Sequence, residues 1–170
     1  MRPLDSTDAD AYRALMLDAY ARHPAEFTST VEERAVQPIE WWVRRIGGES
    51  TDARAFGAFR EGELVGTVAL EFATRTKMRH KATLIGMYVV EAGRRCGTGR
   101  QLVRTVLDAA RARAGVRQVL LTVTEGNHPA QRLYESCGFE AFGTEPRALY
   151  ADGRFRGKVH MWCDLERRSA

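Results

Sequence analysis

Cysteine is scarce in this chain, and the little present cannot build a framework. Cys96, Cys137 and Cys163 are an odd count without a C-x-x-C pair, so neither a disulfide scaffold nor a zinc site is expected, and reduced thiols fit a cytoplasmic protein. Histidine is equally thin, four residues with no ligand spacing, and no metal is expected. There is no low-complexity linker and no internal repeat. The 170 residues therefore read as one domain, 1–170, large enough to bury about two-thirds of its unfolded surface. No apolar run approaches the ~20 residues that cross a bilayer, and the N-terminus carries no signal-peptide pattern, so no membrane partner is expected. Neither sign of charge dominates: 26 Lys and Arg oppose 22 Asp and Glu, a net +4. Without a basic-aromatic stripe, that balance does not predict nucleic-acid binding. Hydrophobic content of 44% and charged content of 28% are ordinary for a soluble globular protein.

Glycine and arginine are concentrated together at one place. The stretch Tyr88-Val89-Val90-Glu91-Ala92-Gly93-Arg94-Arg95-Cys96-Gly97-Thr98-Gly99-Arg100-Gln101-Leu102 reads as an apolar strand, a turn and the opening of a helix. Glycines allow successive N–H groups to converge, and the helix start adds unpaired donors and the positive end of its dipole. Such a turn suits a pyrophosphate, with Arg94, Arg95 and Arg100 adding charge-assisted contacts. It is not a Walker-type P-loop, because Gly99 is followed by Arg100 and Gln101, and it is not G-x-G-x-x-G, because Leu102 stands where the third glycine belongs. What remains is Arg94-x-x-Gly97-x-Gly99, a pattern that a basic turn with no ligand also satisfies.

A second motif adds weight. Val119 to Thr124 reads as a strand, followed by Asn127 as N-cap, Pro129 in the first turn of a helix of barely three turns, and Gly138 as its stop, before Phe139-Glu140-Ala141-Phe142. The two motifs together resemble the GNAT N-acetyltransferase superfamily. Its acyl-CoA signature is Q/R-x-x-G-x-G/A, and its second cofactor segment, N-x-x-A-x-x-L-Y-x-x-x-G-F, is matched by Asn127, Ala130, Leu133, Tyr134, Gly138 and Phe139. The hairpin from Ala55 to Leu70 around Glu61-Gly62 resembles the family's second and third strands, and Arg2-Pro3-Leu4 followed by Asp8 its opening.

The resemblance implies an α/β fold, a single-domain GNAT fold with a central, mixed, mostly antiparallel sheet flanked by helices on both faces. It implies acetyl-CoA as cosubstrate and direct transfer of the acetyl group to an amine of a small molecule or protein. The alternative is a non-catalytic acyl-CoA-binding sensor or partner protein. Cofactor contacts are expected from the backbone of Met87, Tyr88, Val89 and Val90 along the pantetheine arm, from Arg94, Arg95, Cys96, Gly97, Thr98, Gly99 and Arg100 at the pyrophosphate, and from Asn127, Ala130 and Tyr134. Tyr134 matches the tyrosine that protonates the departing thiolate in many members; its bland reading is an aromatic packing the short helix. Some relatives carry a basic carboxylate on the central strand, but Leu84 to Val90 contains none. Glu71 and Glu125 are the candidates in its place, with Glu26 and Tyr150 as candidate linings of the acceptor pocket. Homodimerisation is common in the family, and no feature of this chain demands it.

The remaining elements follow from periodicity. Ala11, Leu15 and Ala19 predict a helix over 8–20, ended by His23-Pro24, and a second helix is expected from Ile39 to Ile46, stopped by Gly47-Gly48. Thr83 to Val90 is apolar on both faces, as in a central strand. A helix from Thr98 to about Ala114 places Leu102, Val103, Val106, Leu107 and Ala110 on one side, and a closing hairpin pairs Arg147–Ala151 with Lys158–Asp164. The basic run Arg75 to Lys81 reads either as a solvated hairpin loop or as help in holding the 3′-phosphate of CoA or an acidic acceptor. Of Trp41 and Trp42, one is expected inside and one partly exposed.

Overall fold

In the computed structural model, which describes residues 1–47 and 52–167, seven strands form one sheet in the order β1-β2-β3-β4-β5-β7-β6. They are β1 (Arg2–Pro3), β2 (Ala53–Arg60), β3 (Glu63–Phe72), β4 (Lys81–Val89), β5 (Gln118–Thr124), β6 (Glu140–Ala151) and β7 (Arg154–Asp164). All pairings are antiparallel except β4 with β5. The helices are α1 (Ala9–Arg22), α2 (Val31–Ala35), α3 (Ile39–Ile46), α4 (Thr98–Ala112) and α5 (His128–Glu135).

Two apolar cores sandwich the sheet. On one face Tyr12, Met16, Tyr20, Trp42 and Ile46 from α1 and α3 pack on Ala55 and Ala69. On the other, Leu102, Val103, Val106, Leu107 and Ala110 of α4 join Val68, Leu70, Leu84, Val119 and Phe139. Each fully buried Leu or Val of that stripe contributes about 1.5–3 kcal/mol. Helices therefore cover both faces of the sheet.

The α2 helix was missed in the sequence although its signal is written there. Thr30 and Glu33 form a capping box, Glu33 N–H donating to Thr30 Oγ1 at 3.2 Å and Thr30 N–H to Glu33 Oε2 at 2.9 Å. The α3 bounds agree with expectation; Gly47 closes the helix, and Gly48 lies outside the described residues. The α5 helix has eight residues, little more than two turns. The closing hairpin is longer than its periodicity suggested, because β6 begins at Glu140 and is irregular opposite Glu145 to Leu149. Trp42 is fully buried and Trp41 half-buried.

The feature that positions the site is the break between β4 and β5. They pair only over Lys81–Thr83 and Gln118–Leu120. Beyond that, among the described residues, β5 stays with β7 while β4 stays with β3. The register of β3 with β4 shifts opposite Thr67–Ala69, where Gly86 adopts φ +59°. A bulge of this kind bends the strand, and beyond Thr83 the side of β4 toward β5 has no strand partner among the described residues.

Candidate active site

The turn after β4 and the start of α4 line a groove of about 630 Å³ with Met87, Tyr88 and Val89 on one side and Asn127, Pro129, Ala130 and Leu133 on the other. Gly97 is the N-cap of α4 at φ +83°, no side chain caps the helix, and its first turn contains no acidic residue. The first N–H groups and the positive dipole end are therefore left to a ligand. A Cβ on Gly97 would meet nothing within 4 Å, so that side of the turn is open, whereas one on Gly99 would lie 3.3 Å from Leu133 Cδ2 and 3.4 Å from Met87 Cε. Gly99 thus lets α4, α5 and β4 approach closely.

The arginines divide their work. Arg95, at φ +63°, and Arg100 line the groove. Arg94 lines it too, but its Nε donates to the Val89 carbonyl at 2.8 Å and a terminal nitrogen lies 3.0 Å from His23 Nε2. Its guanidinium consequently ties the turn to β4 and to the segment after α1. Cys96 is exposed and is not among the groove-lining residues; its thiol donates to the Gly93 carbonyl at 3.1 Å and lies 3.1 Å from Thr98 Oγ1. Hydrogen bonding from Thr98 holds the Cys96 thiol below its ordinary pKa.

A second cavity, about 330 Å³, opens in the gap between Leu84–Met87 of β4 and Leu121–Thr124 of β5. It shares Glu26, Phe27, Met87, Asn127 and Ala130 with the groove, so the two adjoin. The segment between α1 and α2 straps across this gap. Asn127 Nδ2 donates to Glu26 Oε2, Lys158 Nζ to Thr28 Oγ1 at 2.6 Å, and Thr124 Oγ1 to the Glu26 carbonyl at 3.5 Å. Asn127 also caps α5, its Oδ1 accepting from Ala130 N–H at 3.1 Å.

Tyr134 lines this cavity and is only 7% exposed. Its ring meets Phe139 edge-on at 5.7 Å, and its carbonyl accepts the N–H groups of Cys137 and Phe139. Burial pushes the Tyr134 phenol well above its ordinary pKa, so the hydroxyl keeps its proton through the neutral range. Packing partner and cavity wall are the same residue.

The profile of the acetyltransferase (GNAT) family matches residues 14–139. The chain belongs to this family. It is 33% identical over 136 residues to a mycothiol acetyltransferase of Thermobispora bispora, a match covering 78% of this chain and 43% of that protein. The match thus spans less than half the length of the curated relatives, 39–43% of each. Among solved structures, the ribosomal-protein-alanine N-acetyltransferase of Brucella melitensis superposes with a TM-score of 0.78 at 26% identity, covering 96% of this chain and 98% of that one. The yncA protein of Salmonella typhimurium, solved with its cofactor acetyl-CoA, gives 0.80 at 21% identity, covering 99% and 95%.

Acetyl-CoA is the cosubstrate of the GNAT fold family, and the groove fits such a molecule. An uncapped helix start with no acidic residue suits its phosphates, and the unpaired edge of β4 suits a chain of amides. Of the two carboxylates singled out from the GNAT pattern, Glu71 lines the cavity and lies 3.6 Å from Arg45. Glu125 does not line it; its carboxylate sits over Gly157, where a Cβ would lie 2.6 Å from Oε2. Glu26 lines both groove and cavity. Tyr150 is 67% exposed, stacked on Phe155 in the β6–β7 hairpin, and lines neither.

Three cationic cavity residues escaped the sequence reading: Arg34, Arg45 and Lys158. None belongs to a motif, and each arrives from an element remote in sequence. Burial lowers the pKa of Lys158. The basic run 75–81 sits before β4, at the end of the strand opposite the phosphate turn, and most of it is exposed. Nine residues at about 3.3 Å each separate it from the turn after β4. No described helix is long and apolar enough to cross a membrane.

Proposed function

We propose that this chain is an acetyl-CoA-dependent N-acetyltransferase that passes the acetyl group directly to a primary amine. The observation that carries the proposal is the junction of groove and cavity at Asn127, Ala130 and Met87, with Tyr134 at the cavity wall. A cosubstrate lying along β4 would reach an acceptor held between β4 and β5. Backbone N–H groups from Arg95 to Arg100 would bind the pyrophosphate, and the backbone of Met87 and Tyr88 along the groove would pair with the pantetheine arm; Val90, whose N–H is taken by the Val65 carbonyl, lies outside the groove lining. Asn127 and Ala130 flank the arm from α5. When bound, acetyl-CoA supplies the acetyl thioester.

An ammonium cannot attack, so the acceptor must lose a proton first. Glu26, the carboxylate shared by groove and cavity, receives it in this scheme. Tyr134 holds its proton at Oη and would give it to the departing sulfur; the second proton that the nitrogen sheds on becoming an amide then reprotonates the phenol. Burial raises the phenol, and the same lack of solvent raises the demand of a nascent thiolate for a proton. General acid catalysis of this kind contributes about 10²–10⁴-fold.

The test is release of free thiol and formation of acetylated product from a panel of primary amines at saturating acetyl-CoA, with the Tyr134→Phe variant alongside. Product with the native chain and strongly reduced turnover in the variant support the proposal. Saturable acetyl-CoA binding with no product from any amine would overturn it in favour of a non-catalytic acyl-CoA-binding protein.

A further inference from the structure

The end of the cavity farthest from the phosphate turn carries more positive charge than its surroundings neutralise. Arg34 from α2 and Arg45 from α3 both line it, and both guanidiniums lie over the indole of Trp41, at 4.6 and 4.9 Å from the ring centroid. Two like charges are thereby held against one aromatic ring. Among the described residues one carboxylate pairs with them, Glu71, 3.6 Å from Arg45 and half-exposed. Tyr20, which also lines the cavity, stays neutral because burial raises its phenol.

The hydrogen-bond tally points the same way. Nε of Arg34 and Nε of Arg45 are buried with no acceptor among the described residues; the phenols that interact with these guanidiniums, Tyr20 with Arg34 and Tyr12 with Arg45, bring no negative charge. One terminal nitrogen of Arg34 donates to Ser29 Oγ at 2.6 Å, which steadies the guanidinium without supplying negative charge. Buried donors without acceptors are costly to leave unmet, and guanidiniums meet oxyanions in bidentate pairs.

We infer that the acceptor carries an oxyanion, a carboxylate or phosphate, on the same molecule as its reacting amine, and that Arg34 and Arg45 hold that group. This rests on the N-acetyltransferase reading and adds a substrate class to it. The amine then lies toward Tyr134 and Asn127, and the anion anchors the far end, so the cavity orients the molecule by its two opposite charges. Arg34 and Arg45 are specificity-determining residues in this assignment and do not touch the reacting atoms.

The experiment compares each L-amino acid with its uncharged amide, and ethanolamine phosphate with ethanolamine, as acceptors at saturating acetyl-CoA. Calorimetric binding of the same compounds to CoA-loaded protein runs in parallel. At least one anionic member should exceed its neutral partner about 10- to 100-fold in kcat/KM, the range set by losing a hydrogen bond to a charged group. That ratio should collapse in Arg45→Gln and in Arg34→Gln and survive in part in Arg45→Lys. The carboxylate and phosphate arms identify which oxyanion is preferred. Equal rates for anionic and neutral amines would overturn the inference while leaving the acetyltransferase intact. If no amine is acetylated, the acetyltransferase reading falls and calorimetry still decides this site. Anion-dependent binding that Arg45→Gln abolishes would uphold it, and equal or absent binding of acids and amides would overturn it.

Discussion

Replacing Gly97 by alanine tests the phosphate turn by separating backbone strain from ligand loss. Gly97 sits at φ +83° and a Cβ there would touch nothing within 4 Å, so the cost to the free protein is conformational. An L-residue in the left-handed region costs roughly 1–2 kcal/mol, offset by about 0.4–1 kcal/mol from the stiffer unfolded chain. The net loss is about 1 kcal/mol, or ~2–4 °C in Tm for a chain of this size. The added methyl faces the open side of the groove, where the pyrophosphate is proposed to lie. In the native chain, acetyl-CoA at 100 times its Kd stabilises by about 2.7 kcal/mol, a rise of roughly 5–10 °C. A hundredfold loss of affinity leaves only RT ln 2, about 0.4 kcal/mol, so nearly all of the ligand-induced rise disappears.

Gly115 supplies the matched control. It has φ +85°, equally open surroundings and a position just beyond the far end of α4, outside the groove. Gly115→Ala should lower the Tm of the free protein by a similar few degrees and keep the full rise with acetyl-CoA. The assay is thermal unfolding of three proteins with and without ligand. If Gly97→Ala keeps the full rise, the turn is not the phosphate site.

Tyr134→Phe should lower kcat by about 10²–10⁴-fold with the acetyl-CoA-induced Tm rise unchanged, because the ring and its contact with Phe139 remain; an unchanged kcat would remove the acid role. Cys96, its thiol held low by Thr98, should react with iodoacetamide at neutral pH ahead of Cys137 and Cys163, whose thiols burial raises; bound acetyl-CoA should slow that labelling, and equal labelling with ligand would place Cys96 away from it. Asp8 is held below the usual carboxylate range by the Arg2 guanidinium, 2.6 and 2.7 Å from its oxygens. A depressed pKa adds stability that is present above the unfolded value of about 3.9 and is lost as pH falls through the folded one. Asp8→Asn should therefore flatten the acid limb of stability against pH, measured by denaturant midpoints; an unchanged slope would mean that the ion pair is inert.

Much of the architecture was legible because local signals agreed with one another. The α4 stripe, the Glu61-Gly62 turn and the Asn127 cap each state an element in a few adjacent residues. The short α2 was overlooked because a five-residue helix has no periodicity to display, only the Thr30 and Glu33 box. The length of β6 was hidden for a related reason. It is an edge strand, mostly exposed and irregular opposite Glu145 to Leu149, so its pattern lacks the clean alternation that marks a half-buried strand.

The sequence by itself determined the family, through the glycine-arginine turn and the segment from Asn127 to Phe139, since the requirements of such a turn are local: it is built from consecutive backbone groups. It also determined that Tyr134 stands on the helix beside them. Which carboxylate and which arginines line the cavity was decided only by the tertiary structure. The bulge at Gly86 parts β4 from β5, and the strap at 23–30 brings Glu26 across the gap. The α2 and α3 helices deliver Arg34 and Arg45 from more than thirty positions upstream of β4. Electrostatic complementarity at a cavity depends on distances through space, and no spacing along the chain encodes those.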